Sequence, residues 1–411
     1  MRIFYASDNS PNAAFKSDLW RSNLYLALVD LGHDVVEFDY DLSETFRFLD
    51  PAFPEHVEFI RHNRPNVTEE LLRQVRAAHA VKPLDLFFSY FYDACVLPEA
   101  INEIRAMGIK TVNWYCNGSY QLNLVSEISP HYDWCLVPEK FRLKDYVAMG
   151  ANPIYCQEAA NPNVYKPYEL PVEYDVTFVG QAYGERPEYI AHLLEQGINV
   201  RVWGYGWVKQ DTANGHAAAG LASRNTARAQ RAVHIGRKLL TREGWRALGR
   251  RMRREAPYAG ARAGASQTTT GSARDTVGLL PPDILGGVLS DLDLIQLYSR
   301  SKINLGFSTC GNTHESDKRI TQIRLRDFEI PMSGGFYMVE YMHELEEFFE
   351  IGKEIVCYTD VHDLSDKIKY YLSHDNEREA IRQAGFERCR RDHTWQKRFR
   401  DAFKSMGLSE E

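Results

Sequence analysis

Several things are scarce in this sequence, and each scarcity excludes a class of protein. Cysteine is one: there are seven in 411 residues (Cys95, Cys116, Cys135, Cys156, Cys310, Cys357 and Cys389), odd in number and never in a Cys-x-x-Cys pair. That argues against a disulfide framework or a thiolate zinc site and fits a reducing compartment, so a cytoplasmic protein is expected. No apolar run reaches the ~18 residues that a bilayer-spanning helix needs. The N-terminus, Met1 to Asp8, turns polar within a few residues, so no signal peptide is expected. There is no Gly-x-x-x-x-Gly-Lys-Ser/Thr loop, no Gly-x-Gly-x-x-Gly after the first predicted strand and no Gly-x-Ser-x-Gly elbow. These gaps weigh against P-loop phosphotransfer, dinucleotide-dependent redox chemistry and serine hydrolysis. No His/Asp/Glu grouping has metal-site spacing, so no metal is expected. Net charge is -7, which excludes a bulk nucleic-acid binder.

What is present is a long alternation of short apolar strands and amphipathic helices. Ile3 to Ala6 reads as a strand, followed by a polar loop, a helix closed by Gly32, and a second strand at Val35–Phe38. Helices at 67–80, 97–107 and 140–149 then alternate with strands at 84–90, 110–115, 134–138 and 153–156. A Pro-rich stretch, Pro162 to Pro171, reads as a linker. A second cycle follows, with strands at 174–180, 200–204, 302–307, 335–340 and 354–358 and helices at 188–196, 321–331, 363–372 and 377–391. Such alternation predicts parallel sheets covered by helices, with ligands at the carboxyl ends of the strands. We therefore expect an α/β protein with an N-terminal domain over 1–165, a C-terminal domain over 172–385 and a closing segment, 386–411.

Residues 209–275 interrupt the second cycle. They carry fourteen Lys and Arg against four Asp and Glu, a local +10 that leaves -17 for the rest of the chain. We read them as a basic, partly disordered insertion with one helix at about 233–255. Leu240, Trp245, Leu248 and Met252 share one side of that helix and Arg242, Arg246, Arg250, Arg253 and Arg254 the other. The stretch is either a solvated charged face or a surface that docks on an anionic membrane.

The most distinctive run is Lys318 to Glu340. A basic helix would carry Arg319, Arg324 and Arg326 to Glu329, followed by Ser333-Gly334-Gly335 and an apolar strand. Arginines neutralise a diphosphate, Gly-Gly lets backbone N–H groups approach a phosphate, and a carboxylate accepts both hydroxyls of a ribose. Equally, Gly334-Gly335 is a helix-to-strand turn and the arginines form surface ion pairs.

Arg326-Asp327-Phe328-Glu329, Ser333-Gly334-Gly335-Phe336, Glu340-Tyr341, Glu344 to Phe349, Gly352 to Val356 and the tail around His393-Thr394-Trp395 resemble the C-terminal domain of CgeB-like (spore-maturation-protein type) glycosyltransferases. Phe178-Val179-Gly180 with Arg186, Val202 to Trp207 and Ser301 to Leu305 fit the same pattern. The resemblance implies a GT-B fold: two Rossmann-like domains facing across a cleft, with the donor on the C-terminal domain, the acceptor on the N-terminal one and the last helix crossing back. It implies sugar transfer from a nucleotide-activated donor to a glycan, lipid-linked or protein acceptor, and a cell-envelope polysaccharide context. Gly180, Arg186, Gly204, Tyr205, Arg319, Arg324, Arg326, Glu329, Ser333, Gly334 and Gly335 would bind the donor. Retaining GT-B enzymes often carry a Glu-x7-Glu motif; its second Glu corresponds to Glu329, while Thr321 and Gln322 stand where the first would be.

Catalysis in this fold is mostly positioning and leaving-group stabilisation, so no divalent metal is required. An inverting route would need a base on an N-domain loop, and Asp8 and Asp93 are the candidates by position, each also readable as a cap or turn carboxylate. Asn113, Trp114 and Asn117 sit at another strand end and could line an acceptor pocket. The alternative to an enzyme is a non-catalytic protein of the same fold, assembly- or surface-layer-associated, which the missing first Glu and the basic insertion motivate.

Overall fold

The computed structural model describes residues 1–8, 18–207 and 276–408. The expected insertion helix at 233–255 lies outside them, as does the whole of 209–275.

Two wholly parallel sheets form the framework. The first has β1 (Arg2–Ala6), β2 (Asp34–Glu37), β3 (Leu86–Ser89), β4 (Lys110–Trp114), β5 (Trp134–Val137) and β6 (Pro153–Tyr155), in the order β2-β1-β3-β4-β5-β6. The second has β7 (Tyr174–Val179), β8 (Val200–Trp203), β9 (Ser301–Gly306), β10 (Tyr337–Glu340) and β11 (Val356–Tyr358), in the order β11-β10-β9-β7-β8. Central strands are buried throughout, as strands covered on both faces must be: every residue of Leu86–Ser89 and of Tyr337–Glu340 is buried. Register is direct, with Ile3 beside Leu86, and Val176 beside Val200 on one side and Ile303 on the other.

In each sheet the strand order reverses around its first strand. β1 lies between β2 and β3, and β7 between β8 and β9. At such a reversal the connections from the two adjacent strands go to opposite faces of the sheet, which opens a crevice at the carboxyl ends.

The helix Trp395–Ser405 leaves the second lobe and packs on the first. Thr394 caps it by accepting from the Lys397 N–H, and Trp395, Phe399, Ala402 and Phe403 form its buried stripe. Trp395 meets Trp114 at 5.2 Å between ring centroids and Phe399 meets Phe88 at 5.4 Å. Burying aromatics of this size contributes roughly 2–3 kcal/mol each, enough to tie the lobes together.

Two helices differ from expectation. The helix expected at 67–80 begins at Pro54 and runs through Pro65 to Val81. The helix expected near 321–331 begins only at Arg326 and ends at Met332. Just before it the chain is extended, because the loop after β9 ties it down: the Cys310 N–H donates to the Ile320 carbonyl at 2.8 Å and the Gln322 N–H to the Ser308 carbonyl at 3.1 Å. Arg319 and Arg324 thus come from an extended strap, and Glu329 from the middle of a short helix.

Candidate functional site

A cleft of about 430 Å³ lies between the lobes. From the second lobe it is lined by Gly180, Gln181, Tyr183 and Arg186 after β7, by Gly204 and Tyr205 after β8, and by Gln322, Arg324, Arg326 and Glu329. Leu19, Trp20, Cys116, Asn117, Tyr120 and Glu158 face them from the first lobe.

The β7 and β8 loops are held very close. The Gly180 N–H donates to the Trp203 carbonyl at 2.9 Å. Gly204 has φ +127°, and a Cβ there would sit 2.2 Å from the Gly180 carbonyl oxygen. Only glycine fits this crossing. The Gly180 amide is already spent on β8, so this loop offers a ligand close backbone approach, not that N–H.

Arg186 opens the helix Arg186–Glu195 and is 6% exposed. One terminal nitrogen donates to the Gln181 carbonyl at 3.0 Å, the guanidinium lies 3.9 Å from the Tyr183 ring centroid, and Nε has no partner. Burial lowers its pKa to about 10. Arg324 is anchored through Nε to the Phe307 carbonyl and through a terminal nitrogen to the Thr309 carbonyl, both at 2.9 Å. Asp327 accepts from the Arg324 backbone N–H at 2.8 Å and from the Tyr337 hydroxyl at 2.5 Å. Burial lifts the Asp327 pKa to about 6. Arg326 lies beside Tyr298 and Glu329, with its Nε buried and unpartnered.

Glu329 is 2% exposed. Burial raises its pKa to about 7, against the pull of Arg326 and a hydrogen bond from Tyr165. Its Oε1 has no partner. Buried charged groups lacking partners are rare in folded proteins and ask for an explanation. Here the orphan atoms of Arg186, Arg326, Glu329 and Glu158 belong to residues lining one cleft.

Of the expected donor-binding residues, the fold brings Gly180, Arg186, Gly204, Tyr205, Arg324, Arg326 and Glu329 to this cleft. Arg319 stands apart, donating to Thr309 Oγ1 at 2.8 Å and pairing with Glu185 and Glu340 at 2.8 and 2.7 Å.

Ser333, Gly334 and Gly335 are elsewhere. They close the helix Arg326–Met332 and precede β10, at the amino end of the strand, whereas the cleft lies at the carboxyl ends. The Ser333, Gly334 and Gly335 N–H groups donate to the carbonyls of Glu329, Pro331 and Ile330, all at 2.9 Å. With these donors engaged at the negative end of a helix, the turn is no phosphate cradle.

Asp93 is also elsewhere. Its carboxylate accepts from the Glu127 and Ile128 N–H groups at 3.2 and 3.0 Å, which makes it a turn carboxylate, and burial raises its pKa to about 6. Asp8 follows β1 by two residues and is not among the described residues lining the cleft. Asn113 is buried and bonded to Ser89 and Phe91. Trp114 is a fully buried core residue, 4.8 Å from the Trp20 ring.

Sequence reasoning missed Trp20, Tyr120 and Glu158, which line the cleft, and Glu139, which lines a small hollow beside Cys116 and Glu158. Trp20 presents a half-buried indole to the cleft above Trp114 and Tyr90. Glu139 accepts from the Ser119 N–H at 3.3 Å, has an unpartnered Oε2, and has its pKa raised by burial to about 7. The available signal was position: Glu139 follows β5 and Glu158 follows β6, each just past a strand's carboxyl end.

Residues 282–404 match the family model described as "Glycosyl transferase-like". No curated protein matches the sequence. Among solved structures, sucrose-phosphate synthase from Thermosynechococcus elongatus superposes with TM-score 0.57 at 12% identity, covering 99% of this chain and 98% of that one. HepE of Anabaena, in complex with UDP and glucose, gives TM-score 0.52 at 10% identity over 99% of both chains. A glycosyltransferase from Rickettsia africae ESF-5 gives 0.52 at 10% identity, covering 98% of this chain and 97% of that one. The two Rossmann-like lobes are those of the GT-B glycosyltransferase fold.

Proposed function

We propose that this protein transfers a glycosyl group from a nucleoside-diphosphate sugar, as a glycosyltransferase of the CgeB-like type. One observation carries the reading: three arginines and a buried carboxyl converge on the crevice at the reversal of strand order, with charged atoms left unpartnered. Arg186, Arg324 and Arg326 would face the diphosphate and Glu329 the ribose. Charge on the leaving diphosphate is then met by guanidinium groups, and the reaction needs no divalent metal. HepE binds UDP and UDP-glucose, which makes UDP the first nucleotide to test.

The acceptor in this reading is a glycan, lipid-linked or protein hydroxyl. The basic stretch 233–255 would hold the enzyme at an anionic membrane surface, where such acceptors are assembled.

Calorimetry with UDP, GDP, UDP-glucose and UDP-N-acetylglucosamine tests the proposal. Binding of at least one diphosphate nucleotide is expected, weakened about 10–100-fold in Glu329→Ala by loss of a charge-assisted contact. Wild-type affinity in that variant would remove Glu329 from the site. Silence of the wild type across the panel would overturn the function and favour a non-catalytic protein of this fold.

A further inference from the structure

The first lobe places one carboxyl against the donor groups. Glu158 lies in the segment that leaves β6 for the second lobe and is 7% exposed. Its backbone is fixed, the N–H donating to Gln157 Oε1 at 2.8 Å, while Gln157 Nε2 donates to the Pro138 carbonyl at 3.1 Å. Its Oε2 is buried without a partner, and the residue lines the cleft beside Cys116 and Asn117, opposite Arg324, Arg326 and Gln322. Gln322 is itself drawn across the lobes by a hydrogen bond from the Ser119 hydroxyl. A buried carboxyl oxygen without a partner, on the first-lobe wall of the cleft and facing the arginines, is the kind of group a general base requires.

Resting on the glycosyl-transfer reading above, we propose that Glu158 is the catalytic base of this enzyme, taking the proton of the attacking hydroxyl. In the step it serves, the acceptor oxygen bonds to the anomeric carbon as the bond from that carbon to the diphosphate oxygen breaks. The bonding pair leaves on the diphosphate, facing Arg186, Arg324 and Arg326. The acceptor O–H bond breaks and its proton passes to Glu158 Oε2, leaving a neutral carboxylic acid. The role that position suggested for Asp8 and Asp93 falls to a residue of the same lobe after β6, three strands along the sheet from the strand before Asp93. Burial, then the neighbouring Glu139, Glu329 and Asp327, raise the proton affinity of Glu158, while Arg324 opposes them. A carboxylate so placed is a stronger base than one in water.

The test uses the full-length protein, with UDP-glucose, UDP-galactose and UDP-N-acetylglucosamine as donors, water as the acceptor, and UDP release as the signal. Glu158→Gln keeps the shape and removes the base. It should bind UDP within about twofold of wild type and release UDP at least about 100-fold more slowly, in line with the usual contribution of general-base catalysis. Glu158→Ala should behave alike and recover part of its rate in sodium formate, which a structural defect would not do. Wild-type turnover in Glu158→Gln, or no rescue of Glu158→Ala by formate, would overturn the assignment. UDP binding with no UDP release by the wild type would overturn it too, leaving donor binding standing. Failure of the wild type to bind UDP or any nucleotide sugar would refute the glycosyl-transfer reading itself.

Discussion

Arg186 gives the sharpest test of the proposed donor site, because stability and binding should move in opposite directions. Its guanidinium is 6% exposed, donates to the Gln181 carbonyl at 3.0 Å, and is paired with no carboxylate among the described residues. Lowering its pKa from 12.5 to about 10 means the folded state disfavours the charged form by roughly 3 kcal/mol, at about 1.4 kcal/mol per unit. Against this stand the ring contacts at 3.9, 5.2 and 5.5 Å from Tyr183, Phe178 and Phe307, worth about 1–2 kcal/mol when buried, and one hydrogen bond of about 1 kcal/mol. Arg186→Met keeps the apolar stem and drops the charge. Its net effect on folding should be roughly 0 to +1 kcal/mol, so the melting temperature holds or rises. Loss of one or two charge-assisted bonds to a diphosphate, at about 1.5–3 kcal/mol each, should weaken UDP binding about 10-fold or more. Thermal melts and calorimetry on the same preparation decide it. A variant that melts well below wild type yet binds UDP normally would show that Arg186 serves the fold, and the argument from its buried charge would fail.

Other predictions follow from single contacts. Gly204→Ala puts a Cβ 2.2 Å from the Gly180 carbonyl at φ +127°, and should cost about 2–4 kcal/mol, read as a shifted urea midpoint; an unchanged midpoint would mean the loops can part freely. Glu139 has its pKa raised by burial from 4.5 to about 7. The folded state therefore holds more protons than the unfolded one across that window, and stability falls as pH rises through it. Glu139→Gln should accordingly melt higher than wild type at pH 8 and no higher at pH 4.5, whereas a pH-independent difference would refute the linkage. Deleting 209–275, with its net +10, should abolish co-flotation with phosphatidylserine vesicles, and equal flotation of the two forms would exclude this stretch as the docking surface.

The fold was legible in the sequence to the level of individual strands. Each strand expected on the chain is present with bounds within two residues, because short apolar runs bounded by Gly, Pro and Asp are local signals. The expected helix over 321–331 shows where local reading stops. Its basic residues have helical propensity, yet hydrogen bonds to the loop after β9, which a propensity argument does not see, hold Ile320 to Gln322 extended.

The site divides the same way. By itself the sequence determined the two successive α/β cycles, the basic run that supplies Arg324 and Arg326, the glycines that end β7 and β8, and Glu329 as the acid among the arginines. Tertiary structure alone decided that Ser333 to Gly335 close a helix away from the cleft, that Asp93 belongs to a turn, and that Trp20 and Glu158 line the same cleft as the arginines. Residue type and spacing record what a chain does over one or two turns. A cleft is assembled from strand ends that lie tens to hundreds of residues apart, and which unpaired charges meet there depends on how two sheets are set against each other.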